Sequence, residues 1–198
     1  MNRETKQKEM VMASAIRLFA AHGFANVTME EIAKKVGLSR ATVYNHFGKK
    51  ENIYRTFVSQ YLDQLKAKMQ NLSDKTGLQE KLFLYIKTSV NHFREMVENY
   101  PSLRKEYFKD YDSTLQYRKE VFDYYYKLVK TVLSRGLTEE VFYCEDINST
   151  TSVIVNSIRG LELQCISGDN LKNIDKEIDD SINFIVNALS LKGERYGR

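Results

Sequence analysis

A single proline, Pro101, and nine glycines are all the backbone punctuation in 198 residues. That scarcity constrains the fold more than any other feature. A sandwich or barrel needs many tight turns, and the Asn-Gly and Asp-Gly pairs that close short hairpins are both absent. Long helices need neither residue, because Gly and Pro are the two that most weaken a helix interior. The chain therefore reads as all-α. Apolar residues make up 42%, enough for a real core, and 28% charged residues keep the surface wet. A mass of 23.1 kDa fits one medium domain, or a small domain riding on a larger one. No apolar run approaches the roughly 20 residues that span a bilayer. The polar stretch Met1 to Glu9 has no apolar segment behind it, so no secretory signal is expected. Two cysteines, Cys144 and Cys165, make no disulfide framework, and a reducing cytoplasmic setting is expected.

The charge is unevenly spread. Residues 1–50 hold nine Lys and Arg against four Asp and Glu, which is +5, while the other 148 residues hold 21 against 22. A basic quarter on a neutral body suggests a nucleic-acid-binding foot on a carrier domain, although an excess of five charges also arises by chance.

Pattern carries the reading further. Met12, Ala15, Ile16 and Phe19 form one apolar stripe at i, i+3, i+4 and i+7, which predicts a helix over Lys6 to His22 with Gly23 as its stop. Thr28 followed by Glu31 is a capping box that opens a second helix, with Ile32, Ala33 and Val36 inward and Gly37 at its end. Ser39 caps a third short helix, Arg40 to Phe47, with Val43 and Phe47 as its core pair and Gly48 as its stop. Gly37-Leu38-Ser39 has the length and chemistry of a helix-turn-helix turn. Ala33 leaves room for the third helix, Gly37 permits a positive φ and Val43 fills the angle between the two. Hairpins of this kind also occur in helical proteins that touch no DNA.

The outward face of the third helix favours nucleic acid. Ser39, Arg40, Thr42, Tyr44, Asn45 and His46 are donor-rich, and none carries a carboxylate that phosphate would repel. Arg40 can donate two bonds to guanine, Asn45 can bond adenine, and Thr42 offers a hydroxyl or a methyl. Lys49 and Lys50 stand at the start of the next helix, where the dipole disfavours cations unless an anion is bound. Plain solvation of two flexible lysines is the alternative.

These residues resemble the DNA-binding domain of the TetR family of bacterial transcriptional regulators. The resemblance covers about Met10 to Phe57. It rests on Ala20-Ala21-His22-Gly23-Phe24, on Val27 through Ala33, on Val36-Gly37-Leu38-Ser39, and on Thr42 through Glu51. It implies that Thr28 caps its helix and touches a phosphate. It implies that Ser39, Arg40, Thr42 and Asn45 lie toward base edges, and that Tyr44, His46 and Lys50 clamp the backbone with Lys49 nearby. Asn45 departs from the bulkier aromatic or different polar residue that many members carry there. Arg3, Lys6 and Lys8 read as a frayed basic terminus or as an arm toward a minor groove. The implied organisation is a three-helix helix-turn-helix domain over residues 1–50 and a larger helical effector-binding and dimerisation domain over 51–198, about nine helices in all.

Periodicity predicts the body helices at Glu51 to Met69, Leu78 to Asn99, Ser113 to Arg135 closing at Gly136, Ile147 to Ser167 and Asp175 to Leu191, with a short segment from Pro101 to Lys109. Leu82, Ile86, Val90, Phe93 and Val97 share one face of the second of these. Leu115, Phe122, Tyr125, Val129 and Val132 form more than one stripe, which predicts a central helix buried on several sides. Val141 to Cys144 is a candidate short strand in the loop Glu139 to Asp146. The last two helices carry apolar faces, Val153, Ile154, Ile158, Leu161 and Leu163 on one, and Ile174, Ile178, Ile182, Ile185 and Leu189 on the other with Phe184 and Val186 flanking. The family pairs these two helices with a twofold mate as a four-helix bundle; burial within one monomer is the alternative. A dimer also suits two recognition helices one DNA turn apart, roughly 34–36 Å, on a palindrome.

Aromatics are dense between Phe93 and Leu163, a lining suited to a small molecule. The family usually holds an inducer among these middle helices, and the expected lining is Phe93, Tyr107, Phe122, Tyr125, Tyr126, Asn156 and Arg159. Asp123 or Glu162 can meet a cation and Arg159 an acid, so the sign of the effector stays open. The expected function is a ligand-responsive regulator, by family habit a repressor on a double-stranded palindromic operator. A ligand-independent architectural or division-control protein on the same fold is the alternative. His22, His46 and His92 are far apart, and no His-Glu-x-x-His, Cys-x-x-Cys, phosphate loop or dinucleotide loop is present, so neither catalysis, cofactor nor metal is expected. No helix combines a strongly basic face with an apolar one as membrane attachment would require.

Overall fold

The computed structural model describes residues 3–72, 76–100, 111–167 and 174–190. They form eight helices: α1 (Arg3–His22), α2 (Met29–Val36), α3 (Arg40–Phe47), α4 (Lys50–Gln70), α5 (Leu78–Asn99), α6 (Tyr111–Thr138), α7 (Ile147–Ser167) and α8 (Ile174–Ser190). No strand occurs among the described residues, so the all-α reading holds. The chain divides into two compact units. One comprises residues 1–64 and 96–121, the other 65–95 and 122–198.

In the first unit the stripe on α1 is buried as its spacing predicts: Val11, Met12, Ala15, Ile16, Phe19 and Ala20. α2 adds Met29, Ile32 and Ala33, and α3 adds Val43. Phe19, Phe24 and Tyr54 meet in a ring cluster with centroids 5.0, 5.6 and 6.4 Å apart. Such aromatic pairs stabilise beyond simple area burial. Two expectations change here. Helix α1 begins at Arg3 rather than Lys6, so Arg3, Lys6 and Lys8 ride on a helix and are neither a frayed end nor an extended arm. Lys8 pairs with Glu4 one turn away at 2.9 Å. Phe47 is only half-buried, leaving Val43 as the α3 core anchor.

Helix α5 buries Leu82, Ile86, Val90, Phe93 and Val97 as expected. Helix α6 differs from expectation. Leu115 is exposed and Phe122 half-buried, while Val121, Tyr125, Val129, Val132 and Leu133 form one buried stripe. The helix also runs through Gly136 to Thr138. Gly136 is there for space: a Cβ on it would lie 2.0 Å from Cδ2 of Phe142. Phe142 fills that notch, so Val141 to Cys144 is irregular backbone and not a strand. The adjacent Tyr143 N–H donates to the Leu189 carbonyl at 2.8 Å.

On α8 the buried stripe is Ile174, Ile178, Ile182, Val186 and Leu189. Val186, expected to flank that face, is buried on it, and Ile185, expected on it, is half-buried. Lys87 on α5 pairs with Asp179 on α8 at 2.7 Å, and Arg94 pairs with Asp175 one turn earlier on α8. The segment Pro101 to Lys109, with Tyr107, lies outside the described residues.

Candidate nucleic-acid interface

Each end of α2 and α3 is set by a local device. Thr28 caps α2: its hydroxyl accepts from the Glu31 N–H at 3.3 Å, while Glu31 Oε2 accepts from the Thr28 N–H at 2.7 Å and from its hydroxyl at 2.9 Å. The Thr28 backbone bond, then its hydroxyl bond, hold the Glu31 carboxyl below its ordinary value. Gly37 closes α2 in the left-handed region at φ 68°, and the Leu38 N–H returns to the Ala33 carbonyl at 3.1 Å. A Cβ at Gly37 would touch nothing, so φ and not space requires glycine. Ser39 caps α3 by accepting from the Thr42 N–H at 3.1 Å, and its Oγ lies 2.8 Å from the Thr42 hydroxyl. Asn52 Nδ2 donates to the Phe47 carbonyl at 2.7 Å and finishes the far end of α3.

These devices turn one face of α3 outward. Arg40, Tyr44 and Asn45 are exposed there, and Thr42 is half-buried. The side chains of Asn45 and Lys49 are exposed and make no hydrogen bond or ion pair among the described residues. Arg40 is held more tightly. Its Nη1 pairs with Glu30 of α2, its Nη2 donates to the Tyr44 hydroxyl at 3.4 Å, and its guanidinium carbon sits 5.1 Å from the Tyr44 ring centroid. The Tyr44 hydrogen bond, then the Glu30 charge, raise its pKa further. The residues of α3 alone put no carboxylate on this surface. Glu30 reaches it from α2, ten residues earlier, with no local motif to mark it.

Two expected phosphate contacts have other partners. His46 is half-buried, and its Nε2 lies 3.4 Å from Gln7 Oε1 on α1. Lys50 turns inward: its Nζ donates to the carbonyls of Phe24, Ala25 and Val27 at 2.8, 2.9 and 2.9 Å, and it sits 4.9 Å over the Phe24 ring. The puzzle of a lysine at a helix N-terminus thus has an internal answer. Three carbonyl dipoles stand where the sequence suggested a phosphate. The Thr28 hydroxyl is likewise engaged by Glu31.

The expected effector residues are only partly brought together. Tyr125 is buried and donates to Oε1 of buried Glu162 at 2.8 Å. The Phe122 ring lies 6.4 Å from that of Tyr125 and carries the Arg159 guanidinium at 4.5 Å. Arg159 also bonds exposed Asn156 at 3.4 Å. Phe93 is buried on α5. Tyr126 instead meets Asn148, which it shares with Lys130. A separate cleft of about 310 Å³ between α5 and α6 includes Tyr85, Tyr124, Lys81 and Lys127. Burial, then Tyr85, push the Tyr124 hydroxyl up. Among the described residues no three His, Cys, Asp or Glu side chains gather as a metal site would need, and no helix is long and apolar enough to cross a membrane.

Comparison with known proteins bears on the same residues. Residues 11–56 match the profile of the family described as bacterial regulatory proteins, tetR family. Over 69 residues, 35% of the chain, it is 36% identical to the uncharacterized HTH-type transcriptional regulator YerO of Bacillus subtilis. Over 84 residues, 40% of the chain, it is 33% identical to IcaR of Staphylococcus aureus, the negative transcriptional regulator of the biofilm operon icaADBC. These matches span 24% and 45% of the two relatives. Whole-chain likeness is found among solved structures. The fatty acid degradation regulator FadR of Bacillus halodurans superposes with a TM-score of 0.72 at 16% identity, over 100% of this chain and 99% of that one. The ketosteroid transcriptional regulator KstR2 of Mycobacterium tuberculosis gives 0.70 at 17% identity, over 94% and 96%.

Proposed function

We propose that the chain, whose residues 11–56 match the tetR family of bacterial regulatory proteins, is a DNA-binding transcriptional regulator of that family, not an enzyme, acting in the cytoplasm. Residues 1–50 are the DNA-binding domain and 51–198 the effector-binding and dimerisation domain. The observation that carries the reading is α3. Its inner side is fixed by Val43, and its outer side offers Arg40, Thr42 and Asn45, donors suited to base edges in a major groove, with Tyr44 toward the phosphate backbone. Ser39 orients Thr42, Lys49 supplies a free cation for phosphate, and Thr28 and His46 contact the backbone only by giving up Glu31 and Gln7.

The regulator works as a homodimer on a palindromic operator. On α7 and α8, Val153 is 64% and Phe184 75% exposed, flanking a groove that includes Gly160, Ile185 and Leu161. A monomer gains nothing from that apolar surface, and a Cβ on Gly160 would meet nothing within 4 Å, which leaves room for a partner helix. The effector is small and apolar or amphipathic, bounded by Phe93, Phe122, Tyr125 and Arg159. The names of the two structural neighbours, one for fatty acids and one for ketosteroids, support that class. The effector releases the repressor only by binding one arrangement of the dimer better than the other.

Selection of bound fragments from random DNA by the full chain tests this reading. The expected result is a palindromic site whose binding weakens steeply with salt. Arg40→Ala is expected to relax preference at one base pair by about 10-fold or more, the scale of a lost bidentate contact. Equal affinity for every duplex and for heparin at low salt overturns it.

A further inference from the structure

Glu30 brings a carboxylate to the outward face of α3 through its pair with Arg40, and a carboxylate there is repelled by phosphate. Its presence calls for a gain that offsets the repulsion. Arg40 stands at the first position of α3, exposed, on a long side chain whose ordering opposes binding. Three anchors restrict it: the Glu30 carboxylate on Nη1, the Tyr44 hydroxyl on Nη2 and the Tyr44 ring beneath. Exposed ion pairs contribute little to stability. Here the effect of the pair is directional. A planar guanidinium gripped at both terminal nitrogens and stacked on a ring has one orientation, and its remaining N–H groups point one way.

Glu30 is itself fixed. It lies inside the Thr28–Glu31 capping box, as the second residue of α2, so its backbone is held with the helix start. Its anchorage crosses the helix-turn-helix corner and ties the aim of Arg40 to the α2–α3 angle.

We infer that Glu30 is a positioning residue for DNA recognition: through its ion pair across the α2–α3 corner it aims Arg40 at one base pair. This rests on the reading of α3 as the helix that enters the groove.

The test is a double-mutant cycle in the full chain, with Glu30→Gln, Arg40→Ala and the pair, read as the ratio of affinities for the selected operator and a scrambled duplex. Glu30→Gln keeps the side-chain shape and removes the charge. It is expected to lower the ratio about three- to tenfold when Arg40 is present, and to leave it unchanged in the Arg40→Ala background, as contacting residues couple. An equal loss in both backgrounds, or tighter binding of both duplexes alike, overturns the inference. Loss of the charge near the α2 N-terminus lowers melting temperature in both backgrounds, so stability alone does not imitate the coupling. Should the wild-type chain prefer no duplex, the regulator reading falls, and Arg40 guanidinium NMR still decides the tether. Side-chain order that drops in Glu30→Gln supports it, and order unchanged from wild type overturns it.

Discussion

Replacing Lys50 by methionine should loosen the corner between α1 and α2. Methionine retains an apolar stem over the Phe24 ring and deletes only the ammonium. That ammonium bonds the carbonyls of Phe24, Ala25 and Val27 at 2.8 to 2.9 Å. A hydrogen bond to a charged group contributes about 1.5–3 kcal/mol net. The three share one charge, and the Ala25 end is exposed, where water takes over the bond. Counting little more than one full bond as lost, the substitution should cost about 2–4 kcal/mol. For a chain of this size each kcal/mol lowers the melting temperature by about 2–4 °C, so a fall of about 5–15 °C is expected. Thermal unfolding followed by circular dichroism measures it, and amide exchange should rise first at residues 24 to 28. A purely phosphate-binding lysine behaves otherwise: its loss leaves stability alone and reduces the salt slope of DNA binding by about one. A methionine variant that melts within about 1 °C of wild type, with such a slope change, refutes the structural role.

Three further outcomes are expected. Gly136→Ala forces a methyl into the Phe142 ring 2.0 Å away and should destabilise by about 1–3 kcal/mol in chemical denaturation, with part of the loss restored by Phe142→Leu. Phe184→Glu places a charge on the exposed apolar face of α8, and sedimentation should fall from about twice 23.1 kDa to 23.1 kDa with the helical signal kept. Thr28→Ala should cost about 1 kcal/mol through the lost cap. It should also flatten the acid limb of the stability curve. The Glu31 carboxyl is lowered in the folded state, so its contribution is present above the unfolded pKa and is lost as pH falls through the folded one. Losing the hydroxyl bond narrows that window, which stability measured across the carboxylate range will show.

Local chemistry was the legible part of the chain. The Thr28–Glu31 box, the Gly37 corner and the Ser39 cap involve residues three to five apart, and each formed as its spacing predicts. The stripe on α5 was equally plain, since a helix buried along one side repeats in sequence. What escaped involves distant partners. Nothing in Lys49-Lys50 distinguishes a lysine facing phosphate from one facing the carbonyls of residues 24 to 27. Glu30 reads as a solvated first-turn acid until Arg40 is set beside it. Gly136 resembled a helix stop because glycine has two uses, backbone freedom and absent bulk, and only the Phe142 ring tells which one applies. The more than one apolar stripe of α6 predicts burial on several sides, but Leu and Phe also occupy wetter positions, as Leu115 and Phe122 do.

The Phe142 notch has a mechanical consequence. Its ring is keyed into α6 at Gly136, and one residue later Tyr143 grips the last turn of α8 through the Leu189 carbonyl. Two residues of irregular backbone therefore act as a short strut between the two helices. A piston-like slip of α6 would drag the end of α8 with it, so the surface bearing Phe184 keeps step with the helix that carries Tyr125.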